Sequence, residues 1–205
     1  MPKRKSNGTD RARQMLAQEA ARIIVNQGIR DYRVAKAKAA ERLGLNDRGS
    51  LPGNAEVEVA VSEHLELFGG EAHSDRLRML REAAASVMQL FEHHSPRLVG
   101  PVLNGTADGH SSVNLHLFSD SPETIAGELD GHGIRYRPFE RRLRSRRTRD
   151  AAADTYAGFQ FDHAGAGIEA TVFPVDGIRQ APLSPIDGKP MRRADLRAVR
   201  ALLED

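Results

Sequence analysis

Apolar side chains recur every three or four residues through the first ninety positions of the chain, which is the period of a helix that buries one face. The pattern predicts four helices. The first runs from Asp10 to Gln27, the second begins after Asp31 and ends at Gly44, the third begins after Asn54, and the fourth begins after Ser74. The predicted apolar faces consist of Leu16, Ala20, Ile23 and Ile24, then Val34, Ala35, Ala39 and Leu43, then Val57, Val61, Leu65 and Phe68, and last Leu77, Leu80, Ala84, Val87 and Phe91.

The segments outside these helices show no such period before Pro96. Residues 1–9 are polar, and we expect them to form a disordered basic tail. A helical hairpin is too small to bury Val34, Leu43, Val57 and Leu65 by itself, so we expect these side chains to dock on the rest of the chain or on a second subunit.

After Pro96 the pattern changes to short apolar runs separated by Gly, Asp and Ser, which is typical of strands. The runs are RLVGPVL, SVNLHLF, GIRYRPF, GFQFDH and GIEATVFP, with a helix predicted from Pro122 to Leu129 and a last short helix from Asp195 to Leu203. The expected fold class is therefore α+β, with a helical region at residues 10–70 and an α/β domain at residues 71–205. A Pro-rich connector precedes the last helix.

The run SSVNLHL carries the clearest candidate for a functional surface. Val113, Leu115 and Leu117 alternate with polar residues, so one strand face should meet the core while the other presents Ser112, Asn114 and His116. No second histidine stands at a recognisable ligand spacing, and we expect His116 to be a half-exposed strand residue. In the loop before the strand, glycines allow backbone N–H groups to approach a phosphate closely.

Composition narrows the function classes. The 205 residues include no cysteine, which excludes disulfides, thiolate zinc sites and cysteine nucleophiles. No apolar run approaches the roughly 20 residues of a membrane span and no apolar stretch follows the basic start, so we expect a cytoplasmic protein with no membrane partner. The net charge of +2 conceals basic regions at residues 1–50 and 134–205 and an acidic region between them. Such asymmetry is typical of a polyanion-binding face, or of basic and acidic parts that pack together.

Residues 100–115 read GPVLNGTADGHSSVNL. They resemble the nucleotidyltransferase superfamily, the polymerase-β-like fold, whose small members read approximately GSxxxGTAxxxSDIDL after a helix and a strand. The residues that agree with this pattern are Gly100, Gly105, Thr106, Ala107, Ser111 and Leu115, and Val113 is a conservative match. The resemblance covers about residues 74–174. It implies a mixed sheet with flanking helices that binds a nucleotide.

Three functional positions depart from the family pattern. The serine that contacts phosphate is Pro101 here, and the paired metal-binding aspartates are Ser112 and Asn114. The family's third carboxylate comes from a neighbouring strand, for which Glu169 is the candidate. The residues that the resemblance implies for nucleotide binding are Gly100, Gly105, Thr106, Ser112, Asn114, His116 and Glu169.

These departures change the expected chemistry. In the family, two magnesium ions held by three acids align a hydroxyl with the α-phosphate of a nucleotide. Magnesium prefers anionic oxygen ligands, which serine and asparagine do not supply. We therefore expect a protein without catalytic residues, resident metal or cofactor that binds a nucleotide, a polyanion, a protein partner or a second copy of itself. One alternative is an active nucleotidyltransferase that uses magnesium through nonstandard ligands.

A second alternative is an RNA-binding module. Eight arginines lie between Arg135 and Arg149, with Tyr136 and Phe139 among them. Arginines combined with aromatic rings suit RNA or single-stranded DNA, although the segment is equally consistent with a solvated basic loop that balances the acidic region. The candidate residues for nucleic-acid binding are Arg135, Arg137, Arg141, Arg142, Arg144, Arg146 and Arg147.

Overall fold

The chain forms two compact units. The computed structural model describes residues 6–29, 31–45, 51–144 and 153–204. One unit consists of Met1–Ser74 with Asp108–His110, and the other of Asp75–Ala107 with Ser111–Asp205. The first is helical and the second contains a five-stranded mixed sheet. The predicted order, a helical region followed by a mixed sheet with flanking helices, is confirmed at this level.

The helical unit has a hydrophobic core of its own. Its first three helices are α1, Ser6–Gln27; α2, Tyr32–Leu43; and α3, Asn54–Phe68. Leu16, Ile23, Val57 and Leu65 are buried together among small alanines. The three helices together bury Val57 and Leu65 within the helical unit. The expectation that these two side chains dock on the rest of the chain or on a second subunit is therefore wrong. No helix among the described residues is both long enough and apolar enough to cross a membrane.

Two expected core positions are exposed instead. The side chain of Val34 is 39% exposed and that of Phe68 is 74% exposed. Ala35 and Ala39 form the buried face of α2, and Phe68 is the last residue of α3. At both positions the contacts between helices, rather than the local period, decide which side chains meet the core.

The sequence predicted some helix termini correctly. Asp31 caps α2, since its Oδ1 accepts hydrogen bonds from the N–H groups of Arg33 (2.8 Å) and Val34 (3.3 Å). Gly44 ends that helix in the left-handed region with a φ of 66°. α1 begins at Ser6 rather than Asp10, so the expected disorder is wrong for residues 6–9, while residues 1–5 lie outside the described part. Once an apolar face anchors a helix, its polar end extends at little cost.

Two predicted caps are wrong. Gly53 precedes α3, and its N–H donates to the carboxylate of Glu56 at 2.6 Å, whereas Asn54 is the first helical residue. The fourth helix, α4, spans Gly70–Leu90 and begins before Ser74, whose hydroxyl donates to the carbonyl of Gly70 at 3.4 Å. The φ of 53° at Gly70 lets the chain turn sharply and begin the new helix at once.

The second unit is built around one five-stranded sheet. Its remaining elements are β1, Arg97–Val99; α5, Pro101–Asn104; β2, Val113–Phe118; α6, Pro122–Gly131; β3, Tyr136–Leu143; β4, Asp154–His163; β5, Ala166–Phe173; and α7, Leu196–Glu204, with short 3-10 helices at Glu92–His94 and Val175–Arg179. The strand order is β1-β2-β5-β4-β3. Only β2 and β5 run parallel, and β3 lies at an edge of the sheet.

One predicted strand is shorter than its apolar run. RLVGPVL was expected to be extended throughout, but β1 ends at Val99 and the helix α5 follows. Gly100 turns the chain with a φ of 74°, and proline at the first helical position suits the fixed φ of its ring.

The two faces of the sheet have different environments. One face packs on α4 and α6 through Leu115, Ile168, Ala170 and other buried side chains. We call the opposite side the polar face; it carries Arg137, Gln160, Glu169, Asn114 and His116. At one end of this face Phe118, Phe173 and Leu143 form a small cluster with Ile178 and Met191 from the C-terminal segment.

We expect the cap of α2 to contribute measurably to the stability of the helical unit. Asp31→Ala removes the acceptor for two backbone N–H groups and should lower the free energy of unfolding by about 1 kcal/mol. Asp31→Asn keeps an acceptor oxygen and should cost only a few tenths of that. Urea unfolding followed by circular dichroism measures both variants. Equal losses would contradict a capping role.

Candidate functional site

Strand pairing brings four polar side chains into one row across the polar face. Arg137 on β3 lies opposite Gln160 on β4, which lies opposite Glu169 on β5. Glu169 is in register with Asn114 on β2. The sequence predicted that Glu169 stands on a strand beside the SSVNLHL strand, and the parallel pairing of β2 with β5 places it there.

Arg141 joins Asn114 to Glu169. Its Nη1 donates to Asn114 Oδ1 at 3.2 Å, and its Nη2 donates to Glu169 Oε2. The side chains of Arg141 and Glu169 are only 29% and 17% exposed, so solvent screens this ion pair incompletely. The guanidinium therefore neutralises the carboxylate that the sequence singled out.

Glycine in the middle of β4 makes room for the neighbouring ring. The Arg141 guanidinium lies over the ring of Phe139, 5.1 Å from its centroid. Phe139 in turn lies over Gly158, where a Cβ atom would be 2.3 Å from the ring. The sequence analysis named Phe139 only as an aromatic residue among the arginines and did not single out Gly158, although a glycine inside a strand is itself a signal of close approach by another group.

Ser112 belongs to the same cluster through its backbone. The amide Nδ2 of Asn114 donates to the carbonyl of Ser112 at 3.2 Å, which fixes the amide so that its oxygen faces Arg141. The Ser112 side chain is half-buried. Sequence reasoning assigned Arg141 to a nucleic-acid surface and missed this pairing, because strand alternation alone does not show how far a long side chain reaches across a sheet.

The glycine loop approaches the cluster at one point. Gly100 ends β1, and a Cβ atom there would lie 3.5 Å from Asn114 Nδ2. Gly105 ends α5 with a φ of 80°, and the N–H of Thr106 donates to the carbonyl of Pro101 at 3.0 Å. Thr106 is only 8% exposed. Pro101 has no N–H, so the start of α5 offers fewer donors to a phosphate than the family motif does.

His116 is buried, and the expectation that it is half-exposed is wrong. Its Nδ1 accepts a hydrogen bond from Arg193 Nε at 3.1 Å, and its ring lies 4.4 Å from that of Phe173. Burial, assisted by the charges of Arg193 and Arg141, lowers the pKa of His116 to about 3. The ring is therefore a neutral structural group that the C-terminal segment covers.

Arg193 holds that segment against the sheet. Its Nη1 donates to the carbonyl of Gly177 at 2.9 Å, and its guanidinium lies 5.1 and 5.2 Å from the ring centroids of Phe118 and Phe173. Burial, with a smaller effect from Arg97, lowers the pKa of Arg193 to about 10. No local pattern indicates this role, because it depends on a contact with a residue 77 positions away in the chain.

The described arginines of the arginine-rich segment do not form a single track. Alternation along β3 places Arg137 and Arg141 on the polar face and Arg142 on the other face. Arg135 precedes the strand and Arg144 follows it, and both are exposed. Arg146 and Arg147 lie outside the described residues. The aromatic Tyr136 belongs to the side that packs on the helices, so it is not a stacking surface beside Phe139.

The cluster does not fit a magnesium ion. Within the described residues, no group of three or more His, Asp or Glu side chains could hold a metal. Glu169 is the one carboxylate among the residues predicted to bind nucleotide, and Arg141 already occupies its Oε2. Magnesium needs several oxygen ligands in octahedral geometry, with negative charge among them. We therefore derive no metal-dependent step for this chain.

In comparisons with known proteins, no family model matches the chain and no curated protein sequence is significantly similar to it. The resemblance to nucleotidyltransferases is therefore one of motif residues alone and remains an expectation from the sequence.

We expect the Arg141–Glu169 pair to behave as a coupled unit. Arg141→Met leaves a half-buried carboxylate without its counter-ion, and Glu169→Gln removes the charge that orients the guanidinium. Each single change should lower the free energy of unfolding, and the double change should cost less than the sum, with a coupling of about 1 to 3 kcal/mol. Denaturant unfolding of the four proteins measures it. Additive losses would show that the pair contributes nothing.

The low pKa of His116 should appear in the pH dependence of stability. Its folded-state pKa lies below the ordinary value of 6.5, so the unfolded chain binds a proton that the folded chain does not. This group should therefore reduce stability as pH falls from about 6.5 toward 3. His116→Phe should flatten that part of the profile. An NMR titration in which the His116 ring changes with a midpoint near 6.5 would contradict its burial.

Proposed function

We propose that this chain is a noncatalytic protein with a nucleotidyltransferase-like α/β unit, and that it binds a nucleotide on the polar face of its sheet without a divalent metal. The position of Arg141 between Asn114 and Glu169 is the observation that carries the proposal. A guanidinium there supplies the positive charge that the motif's carboxylates otherwise obtain from magnesium.

The negative charge of Glu169 must be compensated before a phosphate can bind beside it. An isolated carboxylate beside a nucleotide phosphate would repel it, and in a metal-dependent site the ions remove that repulsion. Here the ion pair with Arg141 removes it. A guanidinium has five N–H donors, and the contacts to Asn114 and Glu169 use one each from two nitrogens, so donors remain for a ligand oxygen. Binding can then proceed without a dissociable cation.

Two further features support a nucleotide as the ligand. The Gly100–Gly105 segment has the same spacing and chain position relative to β2 as the phosphate-contacting loop of the family that it resembles. Gly100 also approaches Asn114 closely, which keeps the end of this loop beside the cluster. The arginine-rich segment supports the RNA-binding alternative less well than these features support a nucleotide, because its described members are divided between two faces of β3.

The proposal predicts a specific order of affinities for a non-hydrolysable ATP analogue. Wild-type protein should bind it equally in magnesium and in EDTA. Arg141→Met should weaken binding by about tenfold, because Glu169 is then uncompensated, and adding Glu169→Gln to that variant should restore much of the loss. Arg142→Met is the matched control, since it removes the same charge from the same strand on the opposite face. Calorimetry measures all four proteins.

Three outcomes would overturn the proposal. Binding that requires magnesium, with turnover of the natural nucleotide, would establish the enzyme alternative. Equal losses of affinity in the Arg141 and Arg142 variants would show that binding depends only on the overall charge of the protein. Absence of any nucleotide binding by folded wild-type protein would remove the function altogether.

A further inference from the structure

A cavity of about 450 Å³ lies at the start of β3 and near the end of β4. Its lining consists of Arg135, Tyr136, Arg137, Gln160, Phe161 and Asp162. Tyr136 and Phe161 belong by alternation to the side of the sheet that packs on the helices, and both contact the core. The side chains available to a ligand are therefore two guanidiniums, one amide and one carboxylate.

The two guanidiniums are suited to a phosphate group. Arg135 and Arg137 both line the cavity and are two positions apart in the chain, so their long side chains can reach one phosphate. Both side chains are exposed, and no hydrogen bond or ion pair engages either of them within the described ranges. Arg141, by contrast, is committed to Glu169. Among the described residues, therefore, no ion pair neutralises the two guanidiniums of this cavity.

Asp162 contributes a negatively charged group to the lining of the cavity. Asp162 makes no ion pair with Arg135 or Arg137 in the part of the chain that the structure describes, so its carboxylate remains available as an acceptor. A carboxylate repels phosphate but accepts hydrogen bonds from hydroxyl or amino groups. Gln160, in register with Arg137, is exposed between the two ends and can donate or accept.

The cavity also borders the group formed by Ser112, Asn114, Arg141 and Glu169. A Cβ atom at Gly167 would lie 3.6 Å from Ser112 Oγ and 4.0 Å from Asp162 Oδ1, so these two side chains flank a position that has no side chain of its own. Glycine at this position keeps the surface open between the cavity and Ser112.

We propose that this cavity binds a small phosphorylated molecule, with its phosphate on Arg135 and Arg137 and a hydroxyl or amino group on Asp162. Sugar phosphates and nucleotides share this chemistry. Its volume is within the usual range for small-molecule sites. A nucleic-acid strand fits less well, because the described arginines do not continue along one face beyond Arg141. The assignment stands on the cavity residues and does not depend on the proposed role of Arg141.

The test uses ribose 5-phosphate, ribose and inorganic phosphate as probes of the full chain, with backbone amide shifts of β3 and β4 as the readout. Ribose 5-phosphate should bind saturably and ribose should not. Arg135→Gln with Arg137→Gln should weaken its binding at least tenfold. Arg142→Gln with Arg144→Gln removes the same charge nearby and should change the affinity less than twofold. Asp162→Asn should reduce the preference for ribose 5-phosphate over inorganic phosphate.

The site is overturned if ribose 5-phosphate does not bind, or if both arginine pairs cause the same loss. It is also overturned if a single-stranded RNA oligonucleotide binds through Arg135 and Arg137 while no small phosphate does. Failure here with intact, Arg141-dependent nucleotide binding would reject this cavity alone. Loss of the Arg141 effect with intact ribose 5-phosphate binding would reject only the proposed nucleotide site.

Discussion

Parallel pairing of β2 with β5 is the constraint on which the polar face depends. The pairing sets Asn114 beside Glu169, although the two residues are 55 positions apart in the chain with α6, β3 and β4 between them. Because β5 lies between β2 and β4, β3 is the strand farthest from β2 on that side of the sheet. A long side chain of β3 must therefore extend across β4 to reach Glu169 on β5. A one-residue slip of β5 would turn Glu169 into the core and leave Arg141 without its counter-ion.

Charge balance follows from that geometry. A carboxylate that is four-fifths removed from solvent needs a partner, and Arg141 provides one from within the chain rather than from solution. A fixed guanidinium differs from a metal ion in two respects: it cannot dissociate, and it cannot activate a water molecule. The charge balance of the polar face therefore needs no dissociable ion. At the covered end, carbonyl oxygens and aromatic rings hold Arg193 instead.

Local patterns in the sequence predicted several features correctly, although the caps expected at Asn54 and Ser74 were wrong. Asp31 and Gly44 bound α2 as expected, and the alternation of Val113, Leu115 and Leu117 gave the buried side of β2 correctly. Glu169 could be placed beside that strand only through the resemblance. At the polar face, the errors lie where distant groups decide: His116 has the spacing of an exposed position, but a segment 77 residues later in the chain buries it. Likewise, the sequence shows that β3 is basic, but it does not show that Arg141 forms an ion pair with Glu169.

The position of β3 at the edge of the sheet has a consequence for self-association. An edge strand offers unpaired backbone groups to any other extended chain, and proteins commonly protect such edges with charge or proline. Here Pro138 removes one donor from the middle of β3, and arginines on both of its faces would meet their own like charges if two copies joined edge to edge. The same basic composition that suits ligand binding thus also disfavours the growth of a continuous intermolecular sheet.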